Sequence, residues 1–271
     1  MSARGHLGFK IEPHYFGDSE RQLLGIYHGP SGRARAHGVV LCPPAPQEYM
    51  RTHMAFRKVA GILSRDGFHV LRFDYYGTGD SAGGSDDGSI AEWQKNIASA
   101  VVDLKDCSGV TKISLIGHRL GAALAARTPL HVSNLVLWEP VINGRDYLED
   151  LRTIHQRKFS DLLFPPRLPP DGLGGELLGF PLPKDMETEI RSLNLIDQIA
   201  CRAEHIVLVA SQQGTEYATF ESTMREKDSA VPGRFECHYV PDESGSNSQE
   251  GMLMSTQILQ VMASALARRV V

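Results

Sequence analysis

The sequence predicts an α/β fold, in which a mainly parallel sheet carries helices on both faces. Short, continuous apolar runs alternate with stretches of helical spacing along the chain, and this alternation is typical of βαβ units. The chain has 271 residues, which is enough for one large domain or for a core domain with a small inserted cap.

The first third of the chain predicts a hairpin followed by parallel strands. GFKIEPHYFG and QLLGIYHGP form the predicted hairpin around a glycine-containing turn. HGVVLCPP, residues 37–44, is a short apolar run typical of a strand buried on both faces. Residues 54–65 have helical spacing, and FHVLRFDYYG at 68–77 is the next buried strand.

The alternation continues and is then interrupted by a predicted cap. Helical spacing at 90–104 precedes the buried strand KISLIGH, an alanine-rich helix at 120–127 and the strand SNLVLWEP. The pattern breaks where LLFPPRLPPDGLGGELLGFPLPKD is rich in proline, glycine and leucine, and this segment is too apolar for a linker. The core resumes with HIVLVAS, a helix at 216–227, RFECHYVP and a final amphipathic helix at 250–268. The predicted division is a core of residues 1–142 and 201–271, with a cap of residues 143–200.

Composition excludes several classes of function. The formal net charge is -4 and both signs are scattered, so nucleic acid is not an expected partner. Four cysteines without a C-x-x-C pair predict no metal site, no cofactor and reduced thiols. No run approaches the roughly 20 apolar residues of a membrane span, and no signal peptide is recognised, so we expect a soluble, cytoplasmic protein. A homodimer is left open.

The segment SLIGHRLGAALAA has the frame of a nucleophile elbow with an arginine at its centre. Gly117 and Gly121 bracket Arg119, between a buried strand and a helix of small residues. In such an elbow the strand turns sharply into the helix, and the flanking glycines leave room where no side chain fits. The segment therefore predicts an elbow whose apex is Arg119.

The chain resembles the α/β-hydrolase superfamily over nearly its whole length. VLRFDYYGTGDSAG is similar to a strand and loop of bacterial serine-aminopeptidase-like hydrolases. GHRLGAALAA, LVLWEPVINGRDYL and GFPLPKDMETEIRSLNL more closely resemble hydrolase-like proteins of exosortase systems, in which an arginine at the apex is not unusual. The resemblance implies an α/β-hydrolase sandwich of about eight strands with an inserted cap, and a role near exopolysaccharide or secretion systems in bacteria.

The superfamily also implies a serine, an acid and a histidine, in that chain order. The serine position holds Arg119, the loop at 211–215 has no carboxylate before Glu216, and the loop at 242–248 has no histidine. Because all three positions differ, the sequence predicts that standard acyl-enzyme chemistry is absent.

Arg119 is predicted to bind an anion or to form an internal ion pair. Its guanidinium stays protonated and donates to carboxylates or phosphates, and the apex lies at a helix N-terminus. The N–H of Leu120, with that of Ala45 or Gln47, would form an oxyanion hole. Glu139 is the expected internal partner, with Asp146 and Glu216 behind it, and both roles remain open.

The remaining candidates are weighed against plain packing. His118 and Trp138 are favoured as packing residues over catalytic or pocket-lining roles. Cys42 is favoured as a small buried residue over a nucleophile served by His53. His155 is a candidate proton carrier from the cap.

Three functions are compatible with the sequence, and the first of them is favoured. The first is a non-hydrolytic or degenerate protein that binds a small anionic or acyl-type ligand under its cap. The second is an unorthodox hydrolase, cyclase or isomerase of an acyl substrate, in which Arg119 acts electrostatically and Glu139, Asp146 or His155 moves a proton. The third is a scaffold whose cap binds another protein.

Overall fold

The computed structural model describes residues 10–160, 175–227, 233–241 and 256–269. These residues form ten strands and seven helices. The strands are β1 Ile11–Phe16, β2 Leu23–His28, β3 His37–Cys42, β4 His69–Phe73, β5 Lys112–His118, β6 His131–Trp138, β7 Glu176–Leu177, β8 Phe180–Pro181, β9 Arg202–Ala210 and β10 Phe235–Tyr239. The helices are α1 Pro46–Arg65, α2 Ile90–Ser108, α3 Leu120–Arg127, α4 Gly144–Ser160, α5 Lys184–Arg191, α6 Thr215–Lys227 and α7 Thr256–Ala267.

Eight strands form the central sheet in the order β1-β2-β4-β3-β5-β6-β9-β10. Strand β2 pairs antiparallel with β1 and with β4, and the pairs from β4 through β10 are parallel. The predicted mainly parallel sheet of about eight strands is confirmed. The carboxyl ends of the parallel strands therefore meet at one edge, where loops collect functional groups.

The central strands of the sheet are buried on both faces because they are largely apolar, whereas the edge strand β1 is mostly exposed. Val40, Leu71 and Leu115 belong to the cluster that packs against α2 and α3. Their neighbours Val39 and Ile116 point the other way, into the cluster that packs against α1 and α7. Side chains alternate between faces along a strand, so one apolar run supplies both layers of the core.

Two helices differ in length from their sequence predictions. Helix α1 begins at Pro46, eight residues before the predicted start at 54. Proline is suited to the first helical position, since the N–H that it lacks would be unpaired there. Helix α2 begins at Ile90 as predicted, with Ser89 Oγ accepting from the N–H of Glu92, and it continues to Gly109, whose φ of 72° ends it.

The segment between β6 and β9 packs against the main apolar cluster, to which its residues Tyr147, Leu148 and Ile190 belong. It contains α4, the two-stranded β7–β8 sheet and α5, and an isolated bridge joins Asn143 to Asn194 at its two ends. Glu189 of α5 accepts a hydrogen bond from the N–H of Ile90 at 2.7 Å, at the start of α2. Residues 161–174 of the predicted cap and residues 250–255 of the predicted last helix lie outside the described residues. The cap boundaries at 143 and 200 stay a prediction.

Among the described helices, none has the length and apolar character needed to cross a membrane.

Candidate functional site

At the position of the predicted elbow, β5 turns directly into α3. Arg119 lies between them with φ 51° and ψ -119°, a backbone conformation that residues other than glycine rarely adopt. A Cβ on Gly121 would collide with the carbonyl oxygens of Pro43 and Cys42, and one on Gly117 would collide with the backbone of Ala122. The two glycines therefore let the turn close against the loop that follows β3.

The Arg119 side chain is held by a carboxylate from another element. Its Nε donates to Glu48 Oε1 at 3.0 Å, and the Tyr147 hydroxyl donates to Glu48 Oε2 at 2.7 Å. The guanidinium carbon lies 5.3 Å from the centre of the Tyr147 ring. One carboxylate thus joins the first turn of α1, the apex and helix α4.

Electrostatics favour the charged form of this arginine. Burial alone would lower the pKa of Arg119, but the Glu48 carboxylate and the oxygens of Tyr147 and Tyr217 outweigh burial and raise that pKa above its ordinary value. Burial raises the pKa of Tyr147 well above the usual range for a tyrosine, and the nearby Glu48 raises it further. Tyr147 therefore stays protonated and acts as a donor to Glu48.

A pocket of about 200 Å³ opens beside the apex. Arg119, Tyr147 and Tyr217 line it together with the carboxylates of Asp150 and Glu216. Burial raises the pKa of Glu216, and Asp146 and Asp150 raise it further. The pocket thus combines one cation with acidic groups, and the pKa of Glu216 among them is raised.

The expected partner of Arg119 differs from the observed one. Glu139 follows β6 with φ 43°, and its Oε1 accepts from the N–H of Ser211 at 3.2 Å. Asp146 is exposed on the first turn of α4. The ion pair is formed by Glu48 instead, because the early start of α1 brings its first turn to the apex.

Sequence reasoning missed Glu48, Tyr147 and Tyr217. The sequence did contain a signal for Glu48, because Glu48 lies only three residues after Ala45, a residue of the predicted oxyanion hole. Tyr147 and Tyr217 lie in α4 and α6, and nothing in their local sequence distinguishes them from packing residues.

The predicted oxyanion-hole residues lie on the elements that meet at the elbow. Ala45 is buried and precedes α1, Gln47 is half-buried in the first turn, and Leu120 begins α3. The first N–H groups of a helix have no partner within the helix and favour negative charge. The parallel pairing of Cys42 with Gly117 brings the β3 loop alongside the elbow.

His118 and Trp138 pack together on the face of the sheet covered by α1. Their ring centres are 4.2 Å apart, and Phe56 stacks on Trp138 at 6.0 Å. Both are at least 97% buried, and neither lines the pocket beside Arg119. Burial, with the nearby Arg119 charge, lowers the pKa of His118 well below its ordinary value, so the ring is neutral. The burial and mutual contact of His118 and Trp138 are consistent with a packing role for both residues.

Cys42 and His155 are also buried. Burial strongly raises the pKa of the Cys42 thiol, so the reactive thiolate is scarce at neutral pH. His155 is 1% exposed, and its Nδ1 accepts from the N–H of Leu178 in the β7–β8 connection. Its side chain does not line the Arg119 pocket.

The described residues give a partial view of the triad positions. After β9, Ser211, Gln212 and Gln213 supply no carboxylate, and Glu216 lies in the first turn of α6. The loop at 242–248, where the histidine was sought, lies outside the described residues. Within the described part of the chain, no three histidine, cysteine, aspartate or glutamate side chains are grouped to hold a metal ion.

The chain was compared with models of known families. The acyl transferase family model matches residues 45–161, which is less than half of the chain. The matched region runs from Ala45, just before α1, through the turn at Arg119 to the end of α4. No curated protein matches the chain significantly.

Solved structures of low sequence identity share the architecture. An esterase from Pyrococcus furiosus superposes with a TM-score of 0.61 at 16% identity, covering 97% of this chain and 91% of the esterase. Est1E of Butyrivibrio proteoclasticus, solved with ferulic acid bound, gives 0.61 at 16% identity over 94% of this chain and 96% of its own. A lidless serine hydrolase from Xanthomonas campestris gives 0.54 at 11% identity over 96% and 94% of the two chains.

Proposed function

This chain has the α/β-hydrolase fold, and we propose that it binds an acyl-type ligand beside Arg119 without forming an acyl-serine intermediate. One observation supports this most strongly. The apex of the elbow presents a guanidinium that Glu48 and Tyr147 hold at the edge of a pocket of about 200 Å³. A permanently protonated arginine cannot attack a carbonyl carbon, but it donates hydrogen bonds to a carbonyl oxygen.

Charge favours a neutral acyl group over an anion in this pocket. Glu48 already compensates the charge of Arg119, and Asp150 and Glu216 line the same pocket. An added carboxylate would meet more negative than positive charge, whereas a neutral ester or amide carbonyl adds no charge and can still accept from donors at the apex. We therefore assign the ligand carbonyl oxygen to Arg119 and the N–H of Leu120.

The comparisons support an acyl ligand at the level of the fold. The region that matches the acyl transferase model contains Ala45, Glu48, Arg119 and Tyr147, which are all at or near the proposed site. The structural relatives include an esterase and a ferulic-acid complex. A scaffold role receives no such support, since the Arg119–Glu48 pair leaves the pocket open rather than filling it.

The binding test is calorimetric titration with alkyl amides and with carboxylates of matched chain length. We expect the amides to bind more tightly than the carboxylates. Arg119→Met should weaken amide binding about tenfold, since one charge-assisted hydrogen bond is lost. Arg145→Met is the matched control, because Arg145 is exposed at the start of the same cap helix. Equal loss in both variants, or tighter binding of the carboxylates, would overturn the proposal.

The turnover test uses a panel of fluorogenic esters on the wild type, Arg119→Ser and Arg119→Ala. We expect no hydrolysis by the wild type. Hydrolysis that survives in Arg119→Ala would instead indicate another nucleophile, with Cys42 the first to examine.

A second function is favoured by Glu216. Its raised pKa and its place in the pocket with Arg119 are what a general acid requires. In an enzyme of this kind, Arg119 would polarise the acyl carbonyl while Glu216 supplies a proton. Ester turnover by the wild type that is lost in both Arg119→Ala and Glu216→Gln would establish this function in place of the first.

A further inference from the structure

A large cavity lies at the opposite edge of the sheet from Arg119. Its volume is about 750 Å³, and it is lined by the first residues of β3 and β5 and by residues near the starts of β6 and β9. The apex follows the last residue of β5, so the two sites are separated by the length of that strand, roughly 20 Å. Nothing in the proposed acyl-binding function uses this second cavity.

Positive charge dominates the cavity lining. The five cations that line it are Arg33, Arg35, Arg65, Lys112 and Arg269. Two carboxylates, Asp66 and Glu204, also line it. Within the described residues, Arg33 and Lys112 form no ion pair. In a protein of net charge -4, this local excess of cations marks a surface suited to an anion.

The cavity also has a buried polar floor. His37 and Asn134 line it, and each is only 1% exposed. The Nε2 of His37 lies 2.8 Å from Ser114 Oγ, and the Nδ2 of Asn134 donates to the same oxygen at 2.9 Å. The other polar atoms of the two side chains, His37 Nδ1 and Asn134 Oδ1, are buried without a hydrogen-bond partner among the described residues.

The protonation of this floor follows from the hydrogen bonds. Burial, together with the charges of Lys112 and Arg35, lowers the pKa of His37 to about 4, so the ring is neutral. Ser114 Oγ already accepts from Asn134, and its proton is satisfied when it is donated to His37 Nε2. The ring proton then lies on Nδ1. The floor therefore offers one free donor, His37 Nδ1, and one free acceptor, Asn134 Oδ1.

We propose that this cavity binds a small phosphorylated molecule, with its phosphate at the arginine and lysine rim and a polar group on His37 and Asn134. Arginine matches the geometry of phosphate oxygens, and several cations around one opening suit a group that carries more than one negative charge. The volume admits more than a phosphate ion alone, and an uncharged polar part of the ligand accounts for the floor.

The test is calorimetric titration with inorganic pyrophosphate, with citrate as a carboxylate of comparable charge. The variant Arg33→Gln with Lys112→Gln removes two exposed cations of the rim. The matched control is Arg51→Gln with Lys58→Gln, which removes the same charge from exposed positions of α1 outside the cavity. We expect pyrophosphate to bind the wild type and the control alike, and the rim variant to bind at least about tenfold more weakly.

Three results would overturn the proposal. They are no pyrophosphate binding by the wild type at millimolar concentration, equal weakening in the rim and control variants, and citrate binding as tight as that of pyrophosphate. The amide titration at Arg119 should be unchanged in the rim variant, so failure at one site is distinguishable from failure at the other.

Discussion

Glu48 accepts a hydrogen bond from Arg119 with one oxygen and from Tyr147 with the other. Its side chain is 17% exposed, so water replaces these contacts poorly when the carboxylate is changed. Loss of its charge leaves a largely buried guanidinium without compensation, and such losses exceed those at surface ion pairs. Glu48 therefore both positions the Arg119 side chain and stabilises the fold.

We expect Glu48→Gln to lower the free energy of unfolding by about 1–3 kcal/mol, because a charged partner of Arg119 is removed. Glu149→Gln is the control, since Glu149 is 63% exposed in its pair with Arg152 and should cost about 0.5 kcal/mol or less. Urea denaturation measures both. Arg119→Met should cost less in the Glu48→Gln background than in the wild type, and strictly additive losses would contradict the pairing.

At the scale of elements, the elbow depends on close approach of two backbone segments. The loop after β3 passes so near α3 that Gly121 faces the carbonyl oxygens of Pro43 and Cys42. A backbone contact of this kind cannot relax as a flexible side chain can, so an added methyl group must displace the loop or the helix.

We expect Gly121→Ala to lower the free energy of unfolding by about 1–3 kcal/mol. It should also weaken amide binding, because the added methyl group pushes Leu120 away from the loop that follows β3. Gly214→Ala is the matched control for the free energy of unfolding only, because a methyl group there meets no atom within 4 Å but Gly214 lines the Arg119 pocket. Chemical denaturation and the amide titration provide the two readouts. A stability of Gly121→Ala equal to that of Gly214→Ala would show that the loop is not tightly packed on the elbow.

The elements were predictable where one physical signal dominates. The apolar runs KISLIGH and SNLVLWEP predicted strands, and they form β5 and β6. The paired glycines around Arg119 predicted a sharp turn, and β5 turns into α3 there. The sequence does not indicate that α1 begins at Pro46, because proline after a strand is typical both of the loop that ends the strand and of the first position of a helix. Glu48 was missed with the start of α1. Tyr147 was missed because its role depends on how α4 packs over the apex, which no local periodicity encodes.

At the scale of the whole molecule, buried histidines couple stability to pH. Burial, with Arg72 and Arg57, lowers the pKa of His28 to about 4, and Arg72 Nε donates to its Nε2 at 3.1 Å. His37 is likewise held neutral, with a pKa of about 4. In the unfolded chain these rings have a pKa of about 6.5. Between those values the unfolded chain binds more protons, so stability rises with pH and falls as pH is lowered.

We expect each of these histidines to remove about 2 kcal/mol of stability between pH 7 and pH 5. Urea denaturation at the two pH values measures the loss. His28→Gln and His37→Gln should each reduce the difference between the two pH values, whereas His131→Gln, at an exposed position, should leave it unchanged. A pH dependence untouched by either buried substitution would mean that other groups cause it.

The ion pair at the apex has a consequence for which molecules the site selects. Glu48 is tethered to the chain, so it competes for Arg119 at an effective concentration set by the fold and not by the surroundings. In the proposed site, a dissolved organic acid is repelled by the Glu48 carboxylate beside Arg119, whereas a neutral carbonyl is not. If the proposal holds, we therefore expect Glu48 to disfavour organic acids at the apex relative to uncharged acyl groups.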